Sequence, residues 1–246
     1  MRLQFILCKV MYREAEFCIR RSNNTLDIVL LPQGLHNEPQ KLRAEVQKAL
    51  DRICDRNNQP YDASLLGYGL CSNGIVGLSA KIPIVVPRGH DCITLLLGSR
   101  QKYKEYFESH KGTYWYSSGW IETNMMPGKE RCENQLNEYK KKYGSDNAEY
   151  LMNIEQQWIR QYQRATYIDW GFEDSAKQKE FTKKCAEFLG WKYDEIKGSP
   201  SLMQRLVDGQ WDEKDFLVVP PGRKITENLT TDEIIDTQPV QPHQPL

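Results

Sequence analysis

Short apolar runs that alternate with longer polar stretches constrain the fold of this chain more than any other feature. Strand-like runs occupy residues 3–7, 25–32, 63–69 and 82–87. Between the second and third runs, residues 39–54 carry apolar side chains at spacings of three and four, which is typical of an amphipathic helix. Since strands separated by helices are joined by right-handed crossovers, this order predicts a mostly parallel sheet.

The second half of the chain repeats this alternation. The predicted fold class is therefore α/β, with two Rossmann-like lobes that contain mostly parallel sheets. We place the N-terminal lobe at residues 1–110 and the C-terminal lobe at residues 111–225. A long charged stretch at residues 130–163 predicts a helical insert in the C-terminal lobe. The Pro- and Gln-rich residues 226–246 predict a disordered tail.

Charge balance and hydropathy limit the kinds of partner. The 246 residues include 33 Lys and Arg and 33 Asp and Glu, so we expect no broad basic surface for nucleic acid. No apolar run approaches the ~20 residues that cross a bilayer. The N-terminal apolar run is also too short for a signal peptide, so we expect a cytoplasmic protein without a membrane partner. Its seven cysteines contain no CxxC pair, which argues against a disulfide framework.

A reactive side chain follows each of the four N-terminal strands. In chain order these are Cys8, His36, Cys71 and the group Arg88, His90, Asp91 and Cys92. Because the carboxyl ends of parallel strands lie along one edge of a sheet, the fold gathers these groups where α/β proteins bind ligands. The sequence therefore predicts a functional site at this edge. Catalytic roles are assigned to its polar members, Arg88, His90, Asp91 and His36.

Each of these residues also has an ordinary structural interpretation. A single cysteine beside a strand is more often a small buried apolar side chain than a ligand. The histidines could hydrogen-bond main chain in a turn, Asp91 could cap a helix that starts at Ile93, and Arg88 could pair with a surface carboxylate. The functional interpretation depends on the coincidence of three cysteines and two histidines at one edge. The other cysteines lack this placement and are interpreted as structural: Cys18, Cys54, Cys132 and Cys185.

Three segments carry a resemblance to a known family. They are GYGLCSNGIVGL (67–78), VPRGHDCITLLLGS (86–99) and GTYWYSSGW (112–120). Their combination resembles the core motifs of the domain-of-unknown-function family sixteen thirty-eight, and the resemblance covers nearly the whole chain except the tail. Members occur in methane-forming archaea and anaerobic bacteria, often beside corrinoid-dependent methyltransferases. The resemblance implies anaerobic one-carbon or methylamine-type metabolism, with a corrinoid protein or methyltransferase as partner, but it names no reaction.

Two kinds of metal centre suit three isolated cysteines. Thiolates are the usual ligands of iron–sulfur clusters, so Cys8, Cys71 and Cys92 predict a [4Fe–4S] cluster with one iron open to a small-molecule substrate. The alternative is a catalytic zinc ion, bound by two or three of these cysteines with His90 or His36 and oriented through a neighbouring carboxylate. Either centre would make the protein a metal-dependent lyase or transferase. The cluster is the prediction that we favour.

Two metal-free interpretations are also open. Cys71 or Cys92 could act as a nucleophile with a histidine as base, while Arg88 and nearby main-chain amides bind an anion. Alternatively, the protein could be a metal-free accessory or binding protein for a corrinoid methyltransferase system. Such a protein should expose an apolar patch of several hundred Å2 in place of a closed pocket, on the order of the size that marks interaction surfaces.

Three further residues are predicted to contact a cofactor. Tyr68 and Asn73 flank Cys71 and are expected to shape the site. Trp120 follows a strand-like run of the C-terminal lobe. We therefore expect Trp120 at a strand end of that lobe, in a position equivalent to the reactive residues of the first lobe.

Overall fold

The structure is a computed structural model that describes residues 1–228 and 233–240. Its strands are β1 (Arg2–Cys8), β2 (Thr25–Leu31), β3 (Ala63–Gly67), β4 (Ile84–Pro87), β5 (Thr113–Tyr116), β6 (Arg164–Asp169), β7 (Lys192–Lys197), β8 (Phe216–Val219), β9 (Arg223–Asn228) and β10 (Ile234–Pro239). Its helices are α1 (Tyr12–Ile19), α2 (Pro39–Leu50), α3 (Ile93–Leu97), α4 (Arg100–Ser109), α5 (Ser118–Thr123), α6 (Lys129–Tyr143), α7 (Ser145–Glu155), α8 (Ser175–Leu189) and α9 (Ser201–Asp208). None of the helices within the described ranges combines the length and apolar character needed to cross a bilayer.

The first of two compact units comprises Met1–Tyr103 and the chain from Ser199 onward. It is built on a five-stranded sheet in the order β2-β1-β3-β4-β8. β1 to β4 are parallel, as the sequence predicts, and β8 runs antiparallel to β4. Phe5, Ile6 and Leu65 of the central strands are fully buried, and strands that are apolar on both faces are typical of parallel sheets. The predicted α/β class with mostly parallel strands is confirmed.

The predicted amphipathic helix is present as α2. Leu42, Val46 and Leu50 lie one turn apart along it, and all three are buried. Pro39 occupies the first turn, where its missing N–H costs no helical hydrogen bond. α2 connects β2 to β3, and His36 lies in the turn between β2 and α2.

The division of the chain differs from the two predicted lobes. We assigned residues 111–225 to the second lobe, but the chain from Ser199 onward returns to the first unit. There Val218 of β8 pairs with Val85 of β4. A strand's partner is decided by tertiary packing, and local periodicity does not encode it.

The C-terminal segment also differs from the predicted disordered tail. We predicted disorder from residue 226, but β9 and β10 form an antiparallel hairpin in which Ile225 pairs with Thr237. Ile225 and Ile235 are fully buried, so two apolar side chains anchor an otherwise polar segment. The remainder of the predicted tail, residues 229–232 and 241–246, lies outside the described residues.

The second unit, Lys104–Gly198, contains the parallel sheet β5-β6-β7. Its core includes Tyr116, Tyr167 and Trp191, on which α8 packs. The helices α6 and α7 lie within the charged stretch that predicts a helical insert. A second parallel sheet was predicted for this half of the chain, and it is confirmed.

Candidate functional site

The first cysteine of the site stands at the end of β1, in the middle of the sheet. Cys8 is the last residue of β1 and lies opposite Leu31, the last residue of β2. Cys8 is only 8% exposed. Burial raises the pKa of its thiol, and the N–H of Val10 lowers that pKa in part. Cys8 therefore presents a nearly buried, neutral thiol at the carboxyl edge of the sheet.

Two glycines let β3 and the loop after it approach their neighbours closely. Gly67 lies opposite Leu7 of β1, and a Cβ at Gly67 would be 2.5 Å from the Leu7 Cβ. A Cβ at Gly69 would be 2.6 Å from the carbonyl oxygen of Gly89, in the loop after β4. The N–H of Leu70 donates to the same carbonyl at 2.8 Å. The loops that follow β3 and β4 are thus joined main chain to main chain.

Cys71 begins a left-handed turn. The φ angles of Cys71, Ser72 and Asn73 are 46°, 56° and 66°, a region that residues other than glycine seldom adopt because it costs ~1–2 kcal/mol per residue. Arg43 Nη2 donates to the Asn73 carbonyl oxygen at 3.0 Å, and the Asn73 side-chain amide donates to Glu227 Oε2 at 2.9 Å. These contacts hold the turn that presents the second cysteine, and turns held in this way concentrate at functional sites.

The loop after β4 brings a carboxylate to the same edge. The N–H of Cys71 donates to the carbonyl oxygen of His90 at 2.9 Å. Asp91 Oδ1 accepts from the N–H of Ile93 at 2.9 Å, and Asp91 Oδ2 accepts from the Tyr103 hydroxyl at 2.7 Å. Asp91 thus accepts the N–H of the first residue of α3, while the N-cap position itself belongs to Cys92, which makes no side-chain capping hydrogen bond. Burial raises the pKa of this carboxyl, and the hydrogen bond from Tyr103 lowers it in part.

The structure brings the three predicted cysteines into one electrostatic neighbourhood. Burial raises the pKa of Cys71 to about 12, followed by smaller effects that include the Asp91 carboxylate and the Cys8 thiolate. Burial also raises the pKa of Cys92, and Cys71, Asp91 and Cys8 each raise it further. The thiols are therefore neutral at pH 7, and removing a proton from one makes it harder to remove a proton from the next.

Tyr68 follows Gly67, which pairs with Leu7, so it stands at the same strand end as Cys8. The residue is 4% exposed, and its hydroxyl is buried without a hydrogen-bond partner in the part of the chain that the structure describes. Burial raises the pKa of Tyr68, and the thiolates of Cys8, Cys71 and Cys92 raise it further. A buried donor without an acceptor costs ~1–3 kcal/mol. Tyr68 thus brings an unsatisfied donor into the electrostatic reach of three sulfur atoms.

His36 lies within the electrostatic reach of Asp91. It follows β2 in a 3₁₀ turn, Leu35–Asn37. His36 is exposed, but protein atoms around the ring disfavour its charged form and lower its pKa, while the Asp91 carboxylate raises the pKa in part. At pH 7 the His36 imidazole is neutral and can accept a proton.

Arg88 makes buried contacts to main-chain carbonyls, and its predicted catalytic role stays a prediction. Its Nε donates to the carbonyl oxygen of Glu213 at 3.0 Å, and its Nη1 donates to those of Ile235 and Glu233 at 2.6 Å and 3.3 Å. A buried guanidinium must satisfy its donors, and here main-chain carbonyls do so. Arg88 therefore ties β4 to the β9–β10 hairpin. The neighbouring His90 is exposed and offers its carbonyl oxygen to the loop after β3.

Trp120 belongs to the second unit, where it follows β5 as expected. The main-chain N–H of Trp120 donates to Ser117 Oγ at 3.3 Å, and Ser117 is the N-cap residue of α5. Its ring centroid lies 6.1 Å from that of Tyr114, and Trp120 packs against the core of this unit. The indole Nε1 is buried without a partner among the described residues. The contacts of Trp120 in this unit are those of a core aromatic.

Residues that hold the site in place were missing from the prediction. Arg43 on α2 and Glu227 on β9 fix the turn that begins at Cys71, and Tyr103 on α4 fixes Asp91. Each acts across a long separation in sequence. No local pattern marks such a contact, so sequence reasoning has no signal for it.

A single metal ion has no preformed site in residues 1–228 and 233–240. Within these ranges no three His, Cys, Asp or Glu side chains converge closely enough to hold one ion. The three cysteines are close enough to influence one another's ionisation, as the pKa shifts of Cys71 and Cys92 indicate.

Comparison with known proteins identifies a family. A family model with the description "Protein of unknown function (DUF1638)" matches residues 30–207, well over half of the chain. No curated protein and no solved structure matches the chain. The matched segment includes His36, Cys71 and Cys92, whereas Cys8 lies before it.

Proposed function

Since the chain belongs to the DUF1638 family, whose description names no reaction, we propose a function from the site itself. In this proposal Cys8, Cys71 and Cys92 bind a [4Fe–4S] cluster in an enzyme that acts on a small molecule. The metabolic setting, anaerobic one-carbon or methylamine-type metabolism, rests on the motif resemblance alone.

The observation that carries the proposal is the gathering of three thiols from three separate strand ends. Cys8 and Cys71 are buried and Cys92 is half-buried. Ionising these thiols is costly, because desolvation and mutual repulsion both raise the pKa values of Cys71 and Cys92. A bound cationic centre reverses this, since it stabilises the deprotonated thiolates that coordinate it. The arrangement is unfavourable for free thiolates and suited to metal-bound ones.

Three thiols that do not converge on one point suit a cluster better than one zinc ion. Sulfur ligands lie about 2.3 Å from a zinc ion, so three of them must converge on one point. Within the described ranges no such convergent group is present. In a cluster, thiolates bind different iron atoms and stand farther apart. Neutral thiols with raised pKa values also suit a metal-free nucleophile poorly, because the thiolate is the reactive form.

The chain's own residues would bind and move protons around this centre. A [4Fe–4S] cluster bound through three thiolates would supply an iron that acts as a Lewis acid toward an oxygen of the substrate. Neutral His36 would accept a proton from the bound molecule, since its pKa is lowered. Asp91, fixed by the Tyr103 hydroxyl, favours the resulting imidazolium.

Anaerobic purification followed by iron, sulfide and zinc analysis tests the proposal. We expect brown protein with about four irons and four sulfides per chain. Cys92→Ser should lose the iron and sulfide. Cys18→Ser is the matched control, because Cys18 is a fully buried thiol of the same unit outside the group, and Cys185→Ser is the control in the second unit. Protein without iron, in both the parent and the controls, contradicts the proposal.

A second candidate function is favoured by the surface of α6 and α7. Tyr143, Tyr150 and Ile154 are 43%, 66% and 46% exposed, and exposed apolar side chains on neighbouring helices suit a protein-binding face. In this candidate the chain is a metal-free partner of a corrinoid protein or methyltransferase. Binding to such a purified protein, measured by calorimetry, should be lost in Tyr150→Ser with Ile154→Ser and kept in Cys92→Ser.

A further inference from the structure

The Tyr68 hydroxyl is a buried donor for which the described structure provides no acceptor. Tyr68 is 4% exposed, so bulk solvent hardly reaches the hydroxyl. Buried donors of folded proteins are nearly always paired, and an unpaired one at a functional site points to a group that is not yet in place. The surroundings of Tyr68 show which group that is.

Tyr68 lies in the same loop as Cys71, at the strand ends that carry the three cysteines. Tyr68 follows β3 directly and stands three residues before Cys71, in the loop whose Gly69 packs against the Gly89 carbonyl. All three cysteines act electrostatically on the hydroxyl. Protonated thiols are weak acceptors, whereas thiolates and inorganic sulfide are charged acceptors of stronger hydrogen bonds. The missing acceptor is therefore expected on a sulfur of the bound centre.

We infer that Tyr68 is a positioning residue whose hydroxyl donates a hydrogen bond to a sulfur atom of the centre bound by Cys8, Cys71 and Cys92. The inference rests on the proposed function, because the bound centre supplies the acceptor. Hydrogen bonds to cluster sulfurs stabilise the reduced, more negative form, so they raise the reduction potential. Tyr68 would thus set both the potential of the cluster and its retention.

Tyr68→Phe separates this role from a merely structural one, because its effects on the empty and loaded protein have opposite signs. In the metal-free protein, the substitution removes an unsatisfied donor, so the urea midpoint should stay the same or rise. In protein reconstituted with iron and sulfide, the cluster should have a more negative potential and be lost to a chelator about ten-fold faster, the effect of one hydrogen bond of typical strength.

Tyr61→Phe is the matched control. Tyr61 is a buried tyrosine of the same unit, and its hydroxyl already donates to Asp27 Oδ2 at 2.9 Å. Removal of the Tyr61 hydroxyl should lower the urea midpoint of the metal-free protein. It should leave the reduction potential of the cluster and the rate of cluster loss unchanged. The two tyrosines are therefore expected to behave oppositely in both measurements.

The outcomes distinguish failure of the inference from failure of the proposed function. If the parent binds a cluster and Tyr68→Phe has the parent's potential and rate of cluster loss, the inference about Tyr68 is overturned while the cluster stands. If the parent takes up no cluster from iron and sulfide, both are overturned together. A lower urea midpoint for metal-free Tyr68→Phe, equal to that of Tyr61→Phe, also overturns the inference, because it would mean that the hydroxyl is already satisfied.

Discussion

The N–H of Cys71 donates a hydrogen bond to the carbonyl oxygen of His90 at 2.9 Å, and this contact joins the two loops that carry two of the three candidate ligands. Cys71 follows β3 and His90 follows β4, so each loop constrains the other. The close approach needs glycine at position 69, whose added Cβ would be 2.7 Å from the Asp91 nitrogen. The geometry of the site therefore depends on main-chain packing as much as on its reactive side chains.

Gly69→Ala should destabilise the first unit and disturb the site. The new Cβ meets main-chain atoms of Gly89 and Asp91, which cannot move aside as a flexible side chain would. We expect a loss of about 1–3 kcal/mol in the free energy of unfolding, typical of overpacking, measured by urea titration. Gly77→Ala is the control, because its Cβ has no atom nearer than 3.9 Å and carries only the cost of a φ of 89°. A Gly69→Ala variant that unfolds at the same urea concentration as the parent would contradict the packing explanation.

Substitutions at Ser72 should report the strain in the left-handed turn. Ser72 is exposed and has a φ of 56°, so its side chain contributes little packing. Ser72→Gly should be neutral or slightly stabilising, whereas Ser72→Val should be less stable than the glycine variant by about 1–2 kcal/mol, because a β-branched residue is poorly accommodated at positive φ. Thermal unfolding of both variants measures the difference. If the valine and glycine variants unfold alike, the turn is not held in this conformation.

Local patterns account for the part of the fold that the sequence predicts. Continuous apolar runs predict the burial of Phe5 and Leu65. The register of the parallel strands then brings Cys8 and Cys71 to one edge of the sheet. The sequence allowed Arg88 a surface carboxylate, and Glu233 Oε2 lies 3.7 Å from its Nη1. The main-chain partners of Arg88 were not predictable, since these carbonyls are more than a hundred residues away in sequence. The same holds for Ile235, which is fully buried although it belongs to a segment with the polar composition of a disordered tail.

Lys179→Met should destabilise the second unit in a pH-dependent way. Lys179 Nζ lies 2.7 Å from Asp169 Oδ2 and 2.8 Å from Glu195 Oε2. Burial alone raises the pKa of Asp169, but the contacts to Lys179, the Gly171 N–H and Ser175 outweigh it and leave the pKa lowered. The pKa of Glu195 is lowered chiefly by Lys179.

The sign of the pH dependence follows from these lowered values. The two carboxylates contribute stability above their ordinary pKa values of 3.8 and 4.5, and that stability is lost as pH falls through the lower values of the folded state. Lys179→Met should therefore cost about 1 kcal/mol at pH 7, discounted for partial exposure, and close to nothing at pH 2. Lys184→Met, which removes an exposed pair with Glu180 on the same helix, is the control and should change stability little at either pH. A cost that is the same at pH 7 and pH 2 would assign the effect of Lys179 to packing.

Arg88→Met should lower the free energy of unfolding of the first unit. It should have no specific effect on the binding of iron by Cys8, Cys71 and Cys92. The substitution leaves the carbonyls of Glu213 and Ile235 without their buried donors and frees the β9–β10 hairpin from β4, so we expect a loss of about 3 kcal/mol or more. Arg88→Lys should recover less than half of this loss, because one ammonium cannot reach carbonyls on two segments in the way that the guanidinium fork does.

Arg20→Met is the control, since Arg20 makes an exposed pair with Glu16. Urea titration measures the stability of each variant, and iron analysis of anaerobically purified protein measures the site. If Arg88→Lys unfolds like the parent but no longer retains iron and sulfide, Arg88 acts in the functional site, as the sequence predicted, and its contacts to the hairpin are secondary.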